Sequence, residues 1–366
     1  MSNELVYFSN IPLRFSRNEF IEQIPGIENY RKFANFFHPN IAFNDRTGTI
    51  KFPFSLQNTN PIPKFDNSFS MSYKDCVLDR MGSIDKLHKD TGKKFRLLYS
   101  GGIDTSLIFA GFVEYYGLEK TKEILEISCS IDSIYENPWL WDRYIRKENF
   151  DIITSHEYPY YWNDNKIILM GEGNDQLFGY MEYAKLKKNY RLYDTVSVKD
   201  IELYLTKGMP HPDSKYVAEK LFELIPKAPI PITNSYLAFW WIRFAIVWDG
   251  VLTRVLSQSA VDQLPEDTLH SGLVQFFNTE NFQKWSLKFH YDRPDSFCDT
   301  NIYKQDCKDI IIDVLKIPEY ASKGKFDSFP RIHSLKPSCN IIDTNLKLYR
   351  NYEDYLTFAN KENSFL

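Results

Sequence analysis

Seven consecutive residues, Ser100-Gly101-Gly102-Ile103-Asp104-Thr105-Ser106, combine the side chains and the backbone freedom needed to hold a phosphate chain. Two adjacent glycines admit backbone conformations closed to other residues and let a ligand approach without a Cβ in the way. A helix opening directly after them would aim its unpaired N–H groups and the positive end of its dipole at one point, which makes an anion site. Phosphate or pyrophosphate is the natural guest. The hydroxyls of Ser100, Thr105 and Ser106 add donors, and Asp104 beside such a cradle is placed to hold Mg2+. A second run, Gly171-Glu172-Gly173-Asn174-Asp175-Gln176-Leu177-Phe178-Gly179-Tyr180, joins a glycine turn to acidic side chains. Alone it reads as a tight loop with a solvated carboxylate. Beside the first run it offers Asp175 as the partner of Asp104 on one shared metal ion. There is no Walker A loop, since Gly92-Lys93-Lys94 lacks both the Ser/Thr and the upstream glycine.

Both runs need strands to carry them. Phe95 to Tyr99 has strand character, and the apolar positions Leu107, Ile108, Phe112, Val113 and Tyr116 give the following segment helical spacing. Ser72 to Thr91 reads as a helix leading into that strand. Glu123 to Ser130, Asp151 to Ser155 and Lys166 to Met170 read as three further strands, and Asn137-Pro138 caps a helix over Trp139 to Lys147. Alternating strands and helices imply a parallel sheet with its ligand at the carboxyl ends of the strands, so Asp104 and Asp175 are expected to meet across one crevice. Only His156 to Asn165 separates the third and fourth strands, too short for a full helical crossover between neighbours. Either an element is trimmed there or the strand order differs.

The first run resembles the pyrophosphate loop of the N-type ATP pyrophosphatases (the PP-loop superfamily), which cleave ATP to AMP and pyrophosphate while activating a substrate. The pair of runs resembles the synthetase domain of the asparagine synthetase family, whose signatures are S-G-G-x-D-S and G-x-G-x-D-E-L-F-G-G-Y. Gln176 stands where that family has Glu, and one glycine before Tyr180 is missing. Tyr320-Ala321-Ser322-Lys323-Gly324-Lys325-Phe326 resembles the segment with the family's catalytic lysine; Lys323 aligns best and Lys325 competes. Phe276 to Phe282 is a faint echo of the family's P-F-L-D segment, without the acidic and arginine residues usually before it. The resemblance covers about Ser72 to Phe329.

It implies an ATP-dependent ligase that activates a carboxylate as an acyl-adenylate, releases pyrophosphate and passes the acyl group to an amine or ammonia. ATP would lie against Ser100, Gly101, Gly102, Asp104, Thr105, Ser106, Gly171 and Gly173, with Mg2+ on Asp104 and Asp175. Lys323 would offset charge on the phosphate or the tetrahedral intermediate. Glu172 is the candidate general base, or else a solvated or metal-linked carboxylate. Ser2 stands where glutamine-dependent members have a catalytic cysteine, and seventy residues are too few for their glutaminase domain, so ammonia from glutamine is not expected. Two other readings remain. One is a PP-loop enzyme of RNA or nucleobase modification, against which stand the absent basic tract and the absent paired cysteines. The other is a degenerate nucleotide-binding subunit.

The chain of 366 residues has room for a small α+β region over 1–71, an ATP-binding α/β core over 72–200 and a helical region over 201–366 that completes the site. In the last, Asn234 caps an aromatic helix over Ser235 to Leu256, and helices are expected near Gln275 to Leu287 and Tyr303 to Leu315. Within residues 1–71, Leu5 to Phe8 reads as a strand, Arg17 to Phe37 as helical, and Asn40–Phe43 with Thr49–Phe52 as a hairpin turning at Gly48. A net charge of -4 gives no electrostatic reason for a nucleic-acid partner. Five scattered cysteines without a C-x-x-C pair argue for a reducing compartment and against a zinc or iron–sulfur site. The start has no basic, apolar signal-peptide pattern, and the most hydrophobic run, Tyr236 to Leu252, is broken by Arg243 and Asp249; a cytoplasmic protein is expected.

Overall fold

The computed structural model of the chain describes residues 4–15, 19–37, 41–56, 60–154, 165–179, 196–258, 272–294, 303–322, 341–343, 348–349, 353 and 357. Nine strands lie among them: β1 (Glu4–Phe8), β2 (Ser55–Leu56), β3 (Phe95–Leu98), β4 (Leu125–Cys129), β5 (Ile152–Thr154), β6 (Ile167–Met170), β7 (Leu273–Gln275), β8 (Ile341–Asp343) and β9 (Leu348–Tyr349). Five of them form an all-parallel sheet in the order β5-β4-β3-β6-β7. The α/β class expected from the alternating pattern is what the chain adopts.

This order resolves the short connection after β5. The chain runs outward from β3 through β4 to β5, then returns past both to lay β6 on the opposite side of β3. Strands β5 and β6 are therefore not neighbours. The reversal occurs between β3 and β6, and in open parallel sheets the crevice outside the carboxyl ends of the strands at such a switch point is where ligands bind. Every residue of β3 and of β6 is buried, as a sheet covered on both faces requires. Arg96 is the exception in type. It sits inside the sheet opposite Glu126 of β4, and Glu126 accepts from both Arg96 and Lys166, so the buried charge is paired.

The helices that matter to the crevice are α1 (Tyr73–Thr91), α2 (Ile103–Tyr116), α3 (Asn174–Phe178), α4 (Ser235–Ile246), α5 (Trp248–Thr253), α6 (Glu280–Asp292) and α7 (Gln305–Leu315). Ser72 and Asp75 form a reciprocal capping box on α1, and Gly92 closes it in the left-handed conformation. Asn137 accepts from the Leu140 N–H as foreseen, but only 138–140 is α-helical; Trp141–Ile145 continues as a π-helix.

Three expectations for secondary structure fail, each for a visible reason. The helix over Arg17 to Phe37 is split at Pro25-Gly26, with Gly26 at φ 83 capping Ile27–Ala34. Among the described residues 41–52 the expected hairpin does not form. Gly48 does turn at φ 70, but Asp45 gathers the Thr47 and Ile50 N–H groups, and the Asn44 and Arg46 N–H groups donate to Ile246 O and Ala245 O at the end of α4. A helix end thus takes the donors that a second strand would have used. The aromatic helix breaks at Val247 into α4 and α5, where the Ala245 and Ile246 carbonyls accept from the Arg46 and Asn44 N–H groups; beyond the break, Gly250 packs directly on the Ala42 backbone. Trp240, Trp241, Phe244 and Trp248 are fully buried, as expected, and Asn234 caps α4 by accepting from Leu237 N–H at 2.9 Å. The second sheet has the order β2-β1-β8-β9, so strands from both ends of the sequence share it. No helix among the described residues is long and apolar enough to cross a membrane.

The 41–46 segment carries a pH-dependent element. Asp249 is buried; desolvation pushes its carboxyl up to about 6, against the charge of Arg46 and a 3.0 Å hydrogen bond from Asn44 Nδ2. The folded chain therefore holds this proton more tightly than the unfolded one. Its contribution to stability is full below about pH 4 and is lost as pH rises through about 6. Relative to wild type, Asp249→Asn should gain up to about 3 kcal/mol in unfolding free energy between pH 4 and pH 7. Urea titrations of both proteins at several pH values check this; parallel curves would contradict it.

Candidate active site

The Ser100–Ser106 run follows β3 and opens α2, and the Gly171–Gly179 run follows β6 and holds α3, so both loops leave adjacent strands at the switch point. Gly102 is the N-cap of α2 with no side-chain cap, which leaves the first N–H groups of this fourteen-residue helix without intrahelical partners. The two loops touch. A Cβ on Gly171 would lie 3.1 Å from Thr105 Cγ2 and 3.2 Å from Asp104 Cβ.

The two glycines of the first run have different tasks. Gly101 lies at φ 74, and a side chain there would collide with the Ser133 carbonyl oxygen and the Glu136 side chain. Its need is thus imposed by the protein behind the loop. Gly102 meets only Ser100 Oγ, at 3.3 Å, and leaves room on its other side. Gly101→Ala should accordingly lower the melting temperature by several degrees, about 1–3 kcal/mol, whereas Gly102→Ala should change it little. Thermal unfolding followed by circular dichroism distinguishes the two, and equal effects would contradict this division.

The hydroxyls divide in the same way. Ser100 Oγ and Thr105 Oγ1 lie 3.1 Å apart, Thr105 Oγ1 accepts from the Ser100 N–H, and Ser100 Oγ accepts from the Gly102 N–H, so they close the loop on itself. Ser106 is fully buried. Its hydroxyl donates to Gly101 O at 3.4 Å and accepts from Asn137 Nδ2 at 3.1 Å, so it braces the loop from within the protein and does not face the crevice as a phosphate donor.

The acidic residues are brought together by a residue that the sequence motifs did not single out. Lys304 Nζ lies 2.6 Å from Asp104 Oδ1 and 2.6 Å from Asp175 Oδ1, with its side chain 3 % exposed. Asn174 Nδ2 donates to Asp104 Oδ1 at 2.6 Å and is itself oriented by Tyr73, whose hydroxyl donates to Asn174 Oδ1 at 2.6 Å. Tyr303 donates its hydroxyl to Asp175 Oδ1 at 2.8 Å. Burial raises the Asp104 pKa, and the Asp175 charge adds to it, against the pull of Lys304. Burial also works against the Lys304 ammonium, yet the two carboxylates outweigh it and hold its pKa above the ordinary lysine value. Cys307, one turn into α7, is buried and pushed up to about 12, so it is a neutral thiol beside Asn174.

Glu172 is not a free base. Arg254, just after α5, donates to its Oε1 from both Nε and Nη2, the former at 2.9 Å. Burial still raises the Glu172 pKa, with Arg254 opposing. Gly173 takes φ 99 as the N-cap of α3, and a Cβ there would meet Leu252 Cδ2 at 3.2 Å. Gln176 is buried, and its Oε1 accepts no hydrogen bond among the described residues. A glutamate there would be a buried charge. Lys323 and Lys325 lie outside the described residues. The described chain before them, Pro318–Ser322, buries Tyr320 with its hydroxyl near Ser106, and Arg143 of the π-helix pairs with Glu319.

Lys304 and Arg254 were missed because neither belongs to a motif. In the structure Lys304 stands at the residue before α7, a poor N-cap whose charge opposes the helix dipole, whereas a helix expected over Tyr303 to Leu315 hides that position in the sequence.

The donor set suits a divalent cation carried by phosphates. Asp104 and Asp175 already share one cation, the Lys304 ammonium, and Mg2+ characteristically takes one or two carboxylates and completes its octahedron with phosphate and water oxygens. Among the described residues no group of three or more His, Cys, Asp and Glu side chains is placed to hold a metal. No protein-family model matches the chain, and no curated protein matches it either.

Proposed function

We propose that the chain is an ATP-dependent ligase of asparagine synthetase type, built on a PP-loop core, which adenylates a carboxylate, releases pyrophosphate and transfers the acyl group to an amine or ammonia with release of AMP. The observation that carries this reading is the convergence of Asp104 and Asp175, from two loops at the switch point, on a single cation. The uncapped start of α2 provides for the phosphates, and Gly102 for their close approach. Mg2+, held by Asp104 and Asp175 with the nucleotide, would neutralise charge on the departing pyrophosphate. Lys304, drawn from the carboxylates, would offer its ammonium to the same oxygens. Arg254 holds Glu172 in place and opposes the effect of burial on its carboxyl, and the group is freed to act as a base for the amine only when an incoming group competes for that guanidinium. That engagement is also what a nucleotide-binding subunit without turnover would show, which makes it the second reading.

The test is release of AMP and pyrophosphate from ATP with Mg2+ across a panel of amino acids and other carboxylates, with and without ammonia. Carboxylate-dependent AMP formation that Asp104→Ala abolishes is the expected result. Production of ADP would overturn the ligase reading, and tight ATP binding without turnover across the panel would favour the subunit.

A further inference from the structure

We propose that the Lys304 ammonium is a built-in counter-ion that closes the Asp104–Asp175 pair to free divalent cations, so that metal enters only with a polyphosphate that draws the ammonium away. This rests on the nucleotide-binding reading above and adds an order of events to it.

The geometry makes ammonium and metal mutually exclusive. Both Oδ1 atoms lie 2.6 Å from one nitrogen. A Mg2+ bound to both at about 2.0–2.1 Å would occupy nearly the same point. Two cations in contact repel, so the metal must displace the lysine. Among the described residues, Glu172, the other acid of the second loop, is already paired with Arg254 and offers the ammonium no second seat. An isolated divalent ion would therefore strand a buried ammonium, which is costly. A triphosphate changes both sides of this balance. It supplies anionic oxygens as new acceptors for Nζ and further ligands for the metal, which among the described residues finds no group of three or more His, Cys, Asp or Glu side chains to hold it.

The backbone points the same way. Lys304 takes φ 53, uncommon for a residue with a side chain, and it places a cation at the N-terminus of α7, where the dipole disfavours it. Its own helix does not hold Lys304 there. The two carboxylates do, with Tyr303 donating to one of them from the preceding position.

The experiment is Mn2+ binding to the full chain by electron paramagnetic resonance, with and without α,β-methylene-ATP, for wild type, Lys304→Met and Lys304→Gln. Circular dichroism confirms which proteins are folded, and the second variant serves if the first is not. Wild type should leave Mn2+ free until the nucleotide analogue is added and then bind one equivalent. A folded variant should bind one equivalent without nucleotide, at least about tenfold more tightly than wild type. Wild type binding Mn2+ alone as tightly as the variants, or variants binding it no better than wild type, would overturn the counter-ion role while leaving nucleotide binding intact. No binding of the analogue to wild type, with or without Mn2+, would overturn the nucleotide reading and this inference together.

Discussion

Asp104→Asn and Asp175→Asn should each lower kcat/KM for AMP formation from ATP by about 10³-fold, while leaving the fold standing. Each substitution keeps the shape of the side chain and removes one of the two charges on which the metal and its phosphates depend, in a site where removing one preorganised electrostatic partner costs about 10²–10³-fold. Lys304 retains one carboxylate in either variant, and the bonds from Tyr73 to Asn174 and, in Asp104→Asn, from Tyr303 to Asp175 are untouched. A small change in melting temperature beside a large loss of rate therefore separates a chemical role from a structural one. Steady-state kinetics with ATP as the varied substrate check this. An effect within tenfold for either variant would remove that carboxylate from the reacting centre.

Gly250→Ala should have the largest effect on stability, about 3 kcal/mol or more. An added Cβ would fall inside the Ala42 carbonyl oxygen and close to its carbonyl carbon and nitrogen, and backbone cannot rotate aside as a side chain tip can. Relief would have to move the 41–46 segment away from α5. That would pull Asn44 and Arg46 from the end of α4 and strip Arg46 of its bonds to Phe244 O at 2.9 Å and Gln283 Oε1 at 2.5 Å. Chemical denaturation at neutral pH gives the difference directly, and a loss below about 1 kcal/mol would show that the segment yields more easily than this packing allows.

The parts of the molecule legible in the sequence are those decided locally. The helix from Ser72 to Thr91, the Asn234 cap, the left-handed Gly48 and the strand, glycine and helix run at Ser100 to Ser106 follow from neighbouring residues and hold in the structure. What was illegible is decided at long range. Asn44 and Arg46 donate to the end of a helix some two hundred positions later, so a stretch with hairpin character has no hairpin. Lys304 reaches Asp104 across two hundred positions, and Arg254 reaches Glu172 across eighty-two. The two aspartates were visible because turn chemistry marks them, whereas a lysine and an arginine in helical surroundings look like any solvated cation. Ser106 illustrates the converse: a motif fixes where a residue lies in the chain but not which way its hydroxyl turns.

The most direct measurement is hydrogen–deuterium exchange of the full chain with Mg2+ and α,β-methylene-ATP. Protection should rise at residues 100–106, at the start of α2, and at residues 171–176, and Asp104→Asn should abolish it. Saturable nucleotide binding that protects other segments and leaves both loops unchanged would contradict the placement of ATP at the β3–β6 crevice.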